Sequence, residues 1–352
     1  MAHGRRTRVL ALLAALVLVV GVAALVVEVT GDDEDRAGSS TTTEPAEPST
    51  SAPTTAPTTS EAPTTTTTTL PPVPWPALPD DGVARAVTTP TGVVLAITEA
   101  LPDGRYRATS PCGNEVTVTG TPISGATVVL DPGHGGDERG AVGPSGLEEK
   151  AVNLAVAEAA KRHLEAQGAT VVLTRTGDHR ITLASRGAIA QALQPVVFVS
   201  IHHNADPDEE RATPGSETYF QIGSEASRRL AGLVYEEVYA ALAVHDITWA
   251  ADRDAGAKYR PNSRGGDYYG ILKRTAGIPA VLSEGAFITN PAEEALLADP
   301  TVQDAEGAAI ARAIVRFVST DDPGSGFVEP YPRTEPAGPG GGSDGCVDPP
   351  LG

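Results

Sequence analysis

Cysteine is scarce, with two residues in 352, and the chain has one methionine and only 4% aromatic residues. A disulfide-built scaffold needs far more cysteine. A cysteine-ligated zinc finger needs four thiolates, and two are present at most. Positive charge is also in short supply. Lysine and arginine number 26 against 45 aspartates and glutamates, a formal charge of −19. Phosphate backbones are bound by basic faces, so nucleic acid is excluded as a partner. No HExxH helix and no phosphate-binding loop occurs. Apolar residues at 40% are few for a wholly globular chain, so part of the chain lies outside a packed core.

Long apolar runs are missing except for one. Arg5, Arg6 and Arg8 precede an unbroken apolar run over residues 9–27, and Asp32, Asp33, Glu34 and Asp35 follow it. Nineteen helical residues reach about 28 Å, the hydrocarbon thickness of a bilayer. Basic residues before the run and acidic ones after it favour an inside N-terminus. The reading is a cytoplasmic N-terminus over residues 1–8 and a transmembrane anchor over 9–28, with a single pass through the cell membrane. A cleaved signal peptide is the rival, although its apolar core is usually shorter. The anchor leaves the remainder tethered outside the cytoplasm, and cleavage leaves it secreted. Residues 29–76 read as a disordered linker. Within 38–72, Thr, Ser and Pro supply 26 of 35 residues, too little apolar surface to offset chain entropy.

Residues 77–122 read as a small β unit, with apolar runs at 92–97, 105–108 and 116–118. Turn signals stand at Pro102-Asp103-Gly104 and Cys112-Gly113-Asn114. Residues 123–318 alternate β-rich runs (127–131, 170–174, 196–202, 216–222, 280–284) with helical patterns (148–167, 182–193, 224–242, 302–318). Such alternation predicts an α/β fold, a mainly parallel twisted sheet with helices on both faces. Residues 319–352, rich in Gly and Pro, read as a disordered tail. Cys112 and Cys346 are candidates for a disulfide, the alternative being two unpaired thiols.

Chemistry concentrates where apolar strands end. Val129-Leu130-Asp131 runs into Pro132-Gly133-His134-Gly135-Gly136, a turn whose glycines carry an imidazole toward a cleft. The apolar run 196–201 ends in His202-His203-Asn204, and 279–283 ends in Glu284. In open α/β sheets the site lies beyond the carboxyl ends of the strands. Glu149 begins a helix just after the His134 turn. Two histidines and one carboxylate from separate elements make the ligand set of a catalytic zinc. A desolvated carboxylate such as Glu284 calls for a partner or a role.

These segments together resemble the zinc-dependent N-acetylmuramoyl-L-alanine amidases of the amidase-3 type. They are VVLDPGHGG at 128–136, GLEEKAVNL at 146–154, VVLTRTGD at 171–178, ITLASRGAIA at 181–190, FVSIHHNA at 198–205 and PAVLSEGAFITNP at 279–291. The resemblance implies one Zn2+ held by His134, Glu149 and His202, a catalytic Glu284, and peptidoglycan as substrate. It implies hydrolysis of the amide between N-acetylmuramic acid and L-alanine by metal-activated water, with Glu284 as general base. The chain departs from the pattern at Ala286, where the family has glycine before Phe287. A lysine-poor basic set, four of 26, suits a GC-rich bacterial gene.

Alternatives stand beside this reading. Glu148 precedes Glu149, and the position before Lys150 favours Glu149. His203 follows His202 and points to the opposite face of the strand. His203 is expected at the cleft rim, touching substrate together with Asn204, which also orients the His202 loop. Arg186 is expected to pair with a carboxylate. The acidic stretch 206–211 reads as a solvated loop, too short for a self-inhibiting insertion. The rival functions are a non-catalytic wall-binding or regulatory module and a zinc peptidase acting within the stem peptide. Retention of Glu284 argues against the first. At −19 the chain gains little from long-range attraction to an anionic wall polymer, so tethering carries the approach. No protein activator is legible.

Overall fold

The computed structural model describes residues 72–333 and 341–352. The anchor expected at residues 9–28 and most of the linker lie outside the described residues. Among the described residues, no helix is long and apolar enough to cross a membrane.

Five short strands come first: β1 (Ala86–Thr88), β2 (Val94–Ala100), β3 (Tyr106–Thr109), β4 (Glu115–Val118) and β5 (Thr121–Ile123). They form an antiparallel sheet in the order β4-β3-β2-β1-β5. The larger region then runs β6 (Val128–Pro132), α1 (Glu149–Glu165), β7 (Val171–Leu173), α2 (Leu183–Leu193), β8 (Val197–Asn204), β9 (Glu209–Arg211) and β10 (Glu217–Phe220). It continues with α3 (Glu225–Leu242), β11 (Trp249–Ala251), β12 (Gly256–Lys258), α4 (Gly270–Arg274), β13 (Ala280–Phe287), α5 (Pro291–Leu297) and α6 (Pro300–Ser319). Helix starts follow capping chemistry. Thr182, Ser224, Asn290 and Asp299 each accept a backbone N–H at the N-cap, and α5 and α6 open with proline.

The central sheet is mixed, in the order β12-β10-β13-β8-β6-β7. β13, β8, β6 and β7 run parallel, while β10 is antiparallel to β13 and β12 follows β10. The reason is local. No crossover helix lies between β8 and β10, so the chain starts β10 at the end where β8 finished and runs back. The stretch 206–211, expected to be a solvated loop, contributes β9, which pairs with β11 through Trp249↔Arg211.

Side-chain alternation divides the core. Val197, Val199 and Ile201 face the layer of α1, α3 and α6, while Phe198 faces α2 and α4. Ala86, Val94 and Ala96 of the first sheet pack on Ile189, Ala190 and Leu193 of α2. The small sheet therefore shares its core with the larger region.

The tail departs from its expectation. Its described part lacks regular structure but is held at several points. Arg333 pairs with Asp252 and Asp254 at 2.6 and 2.8 Å. Glu138 accepts from the Gly341 backbone, and Asp348 accepts from Ser110, Cys112 and Asn114. Cys112 and Cys346 form a disulfide across 234 residues. Composition alone misreads such a tail because single anchoring side chains leave no periodic trace.

Candidate metal centre

β6 ends at Pro132 and passes into the His134 turn. His134 adopts φ 60°, a conformation strained for a side-chain-bearing residue. Two buried guanidinium groups brace this turn. Arg175 donates to the carbonyls of Pro132 and Gly133, and Arg186 donates to those of Pro132 and His134. Arg186 also pairs with buried Asp131 at 2.7 Å, and Asp131 accepts further bonds from Thr174 and Ser200. Burial alone would raise the Asp131 carboxyl, but the Arg186 charge and these donors hold it below its usual range.

α1 begins without a side-chain cap. Glu149 fills its first turn, where the helix dipole favours a negative charge. The Glu149 carboxylate lies 3.1 Å from His134 Nε2 and 3.0 Å from His202 Nδ1. Burial opposes its ionisation, yet hydrogen bonds with the two imidazoles hold its pKa well below the usual glutamate range. Burial conversely depresses His202, leaving a lone pair for a ligand role. One donor atom from each of His134, Glu149 and His202 falls within 4.8 Å of the other two. Glu148 turns away to pair with Arg139 at 2.6 Å.

Two glycines make the space. A Cβ on Gly133 would stand 2.1 Å from His202 Cε1, and one on Gly140 would stand 2.3 Å from Glu149 Oε2. Nitrogen, nitrogen and ionised oxygen around this cradle fit a zinc ion. A second acidic group, Glu217, Asp252 and Asp254, is equally close-set. Lys258 and Arg333 already fill it with charge, at 2.6–2.8 Å from those carboxylates. It does not resemble a metal cradle.

Glu284 is the strand partner of His202 on one side and of Glu217 on the other. Paired residues on neighbouring strands share a face about 4.8 Å apart. One oxygen of Glu284, Oε2, is shut off from solvent and has no hydrogen-bond partner among the described residues. Burial, then the charges of Glu149, Glu217 and Asp252, raise its pKa well above the usual range.

One residue is placed differently from expectation. His203 is not at a rim, being only 2% exposed. It lies on the face covered by α1 and α6, bonded to Asn153 at 2.8 Å and to Glu306 at 3.2 Å. Helices on both sheet faces make the reverse side of β8 a second core rather than an edge. Asn204 donates to Glu217 Oε2 at 3.2 Å and accepts from Ala205. Sequence reasoning missed Asn153, Glu217, Lys258 and Arg333. Asn153 alone left a signal, standing four residues after Glu149 and hence on its helix face.

A family model described as N-acetylmuramoyl-L-alanine amidase matches residues 128–316, just over half of the chain. The uncharacterized protein YqiI of Bacillus subtilis (strain 168) is 37% identical over 216 residues, 59% of this chain and 95% of that protein. The N-acetylmuramoyl-L-alanine amidase LytC of the same organism is 36% identical over 198 residues, 56% of this chain and 36% of that protein. Among solved structures, the N-acetylmuramoyl-L-alanine amidase AmiC2 of Nostoc punctiforme aligns with a TM-score of 0.46 at 29% identity, covering 54% of this chain and 95% of that one. The chain belongs to the N-acetylmuramoyl-L-alanine amidase family and is an amide hydrolase of peptidoglycan.

Proposed function

We propose that His134, Glu149 and His202 hold one Zn2+, and that Glu284 moves the protons when the amide between N-acetylmuramic acid and L-alanine is cut. The carrying observation is the meeting of two imidazole nitrogens and one ionised carboxylate within 4.8 Å. When bound, zinc supplies a Lewis acid that polarises a carbonyl and brings the pKa of water toward about 7. The chain supplies the rest. Glu284, beside His202 on the adjoining strand, accepts a proton from the attacking water. It then returns that proton to the departing amine. The carbon–nitrogen bond breaks, the carbonyl carbon keeps the water oxygen, and L-alanine leaves with a free amino group. Burial, and then the neighbouring carboxylates, raise the proton affinity of Glu284, which favours taking a proton from water.

Chelation should abolish release of stem peptides bearing L-alanine N-termini from purified sacculi, and added zinc should restore it. Full release by zinc-free protein would overturn the metal reading. Mass spectrometry that finds cuts only inside the stem peptide would overturn the bond assignment.

We also propose a membrane tether through residues 9–28, supported by the apolar run and its charge asymmetry. Fractionation of producing cells should recover the full chain with membranes, its hydrolase domain open to external protease. Recovery in the cytosol would refute the tether.

A further inference from the structure

We propose that Asn153, His203 and Glu306 form a buried strut that positions Glu149 for the metal. The proposal rests on the zinc reading above. Glu149 Oε1 accepts from Asn153 Nδ2 at 3.0 Å and from the His203 backbone N–H at 3.2 Å. Its Oε2 accepts from the Ala141 backbone at 2.8 Å. Apart from the two imidazoles that share the metal cradle, two of the three donors to this carboxylate therefore belong to Asn153 and His203.

The polarity of the chain of bonds follows from its first link. An ionised carboxylate only accepts, so the Asn153 nitrogen faces Glu149 and its oxygen faces away. That oxygen lies 2.8 Å from His203 Nδ1, which must carry the hydrogen. His203 Nε2 then meets Glu306 Oε2 at 3.2 Å. Asn153 and Glu306 are fully buried. The strut ends beneath β13, where a Cβ on Gly285 would stand 2.3 Å from Glu306 Oε1. It thus runs from the metal-facing carboxylate, through α1, β8 and α6, to the backbone next to Glu284.

Packing does not demand this arrangement. The α1–α6 contact around it is apolar, with Val156, Ala160, Ile310 and Ile314 in one core. Apolar side chains of similar volume would pack there without the desolvation cost of a polar chain. What the strut adds is a fixed direction for Glu149. Partners behind a ligand commonly govern metal affinity in this way.

Zinc affinity, measured by competition with a chromogenic chelator, tests the proposal. Asn153→Ala should raise the zinc Kd about 10–100-fold, while the melting temperature of the metal-free protein changes little. Glu306→Gln keeps an acceptor for His203 and should stay within about twofold of wild type. If Asn153→Ala fails to fold, Asn153→Ser serves as the same break with a smaller cavity. Wild-type affinity in the Asn153 variant, alongside lost affinity in His202→Ala, would overturn the strut and leave the metal centre standing. Unchanged affinity in His202→Ala would overturn both.

Discussion

Glu149 and Glu284 are the same side chain under opposite electrostatics. The first has two imidazoles against it and stays ionised. The second is buried beside other carboxylates, which raises its affinity for a proton. Glu284→Gln keeps the shape and removes the proton exchange. Turnover should fall about 10²–10⁴-fold with zinc content unchanged by metal analysis; retained turnover would take Glu284 out of the reaction. Glu293 gives a separate, pH-linked expectation. Burial lifts its carboxyl from 4.5 to about 7, against hydrogen bonds from the Phe287 and Ala250 backbones. Between these values the folded protein holds a proton that the unfolded chain has released. The associated stability is present below the window and lost as pH rises through it, about 3 kcal/mol in all. Denaturant unfolding of Glu293→Gln should therefore depend less on pH between 4.5 and 7 than wild type. An equal slope in the two proteins would contradict this assignment. At this level much was legible in the sequence. His134, His202 and Glu284 each follow an apolar run, so strand ends marked them. The role of His203 was not legible, because knowing that it points away from His202 does not say what covers the far side.

Strands and helices deliver these side chains to one place, and glycine decides whether they fit. Gly133→Ala would drive a methyl into the His202 ring and should cost zinc binding and activity together. Gly146→Ala makes a useful contrast. Gly146 sits at φ +95 with nothing within 4 Å of its would-be Cβ, so the change should cost about 1–2 kcal/mol of backbone strain and leave zinc affinity intact. Equal zinc loss in both variants would argue against a specific cradle at Gly133. The strands that carry the site were readable because they are apolar and bounded by turns. The three-residue strands β9, β11 and β12 were not, since three residues cannot display a period. Glu217 reaches the site row only because β10 runs antiparallel, which depends on a missing crossover helix rather than on any motif.

Assembly of the described residues depends on contacts between distant parts of the sequence, and these were the least legible. The pairing of Arg333 with Asp252 and Asp254 spans about eighty positions, and no spacing rule foretells it. The disulfide is a covalent tie of the same kind. Closing a loop of 234 residues restricts the unfolded chain by about 5 kcal/mol in a chain-entropy account. Cys346→Ser should lower the melting temperature, and reductant should lower that of wild type by a similar amount without affecting the variant. Identical melting of oxidised wild type and variant would mean that the bond adds nothing. Synthesis order gives the same bond another meaning. Cys112 is made well before its mate and must wait as a thiol while the intervening polypeptide emerges and folds. With no third cysteine in the chain, that wait offers no wrong intramolecular partner, and closure needs no isomerase to correct it.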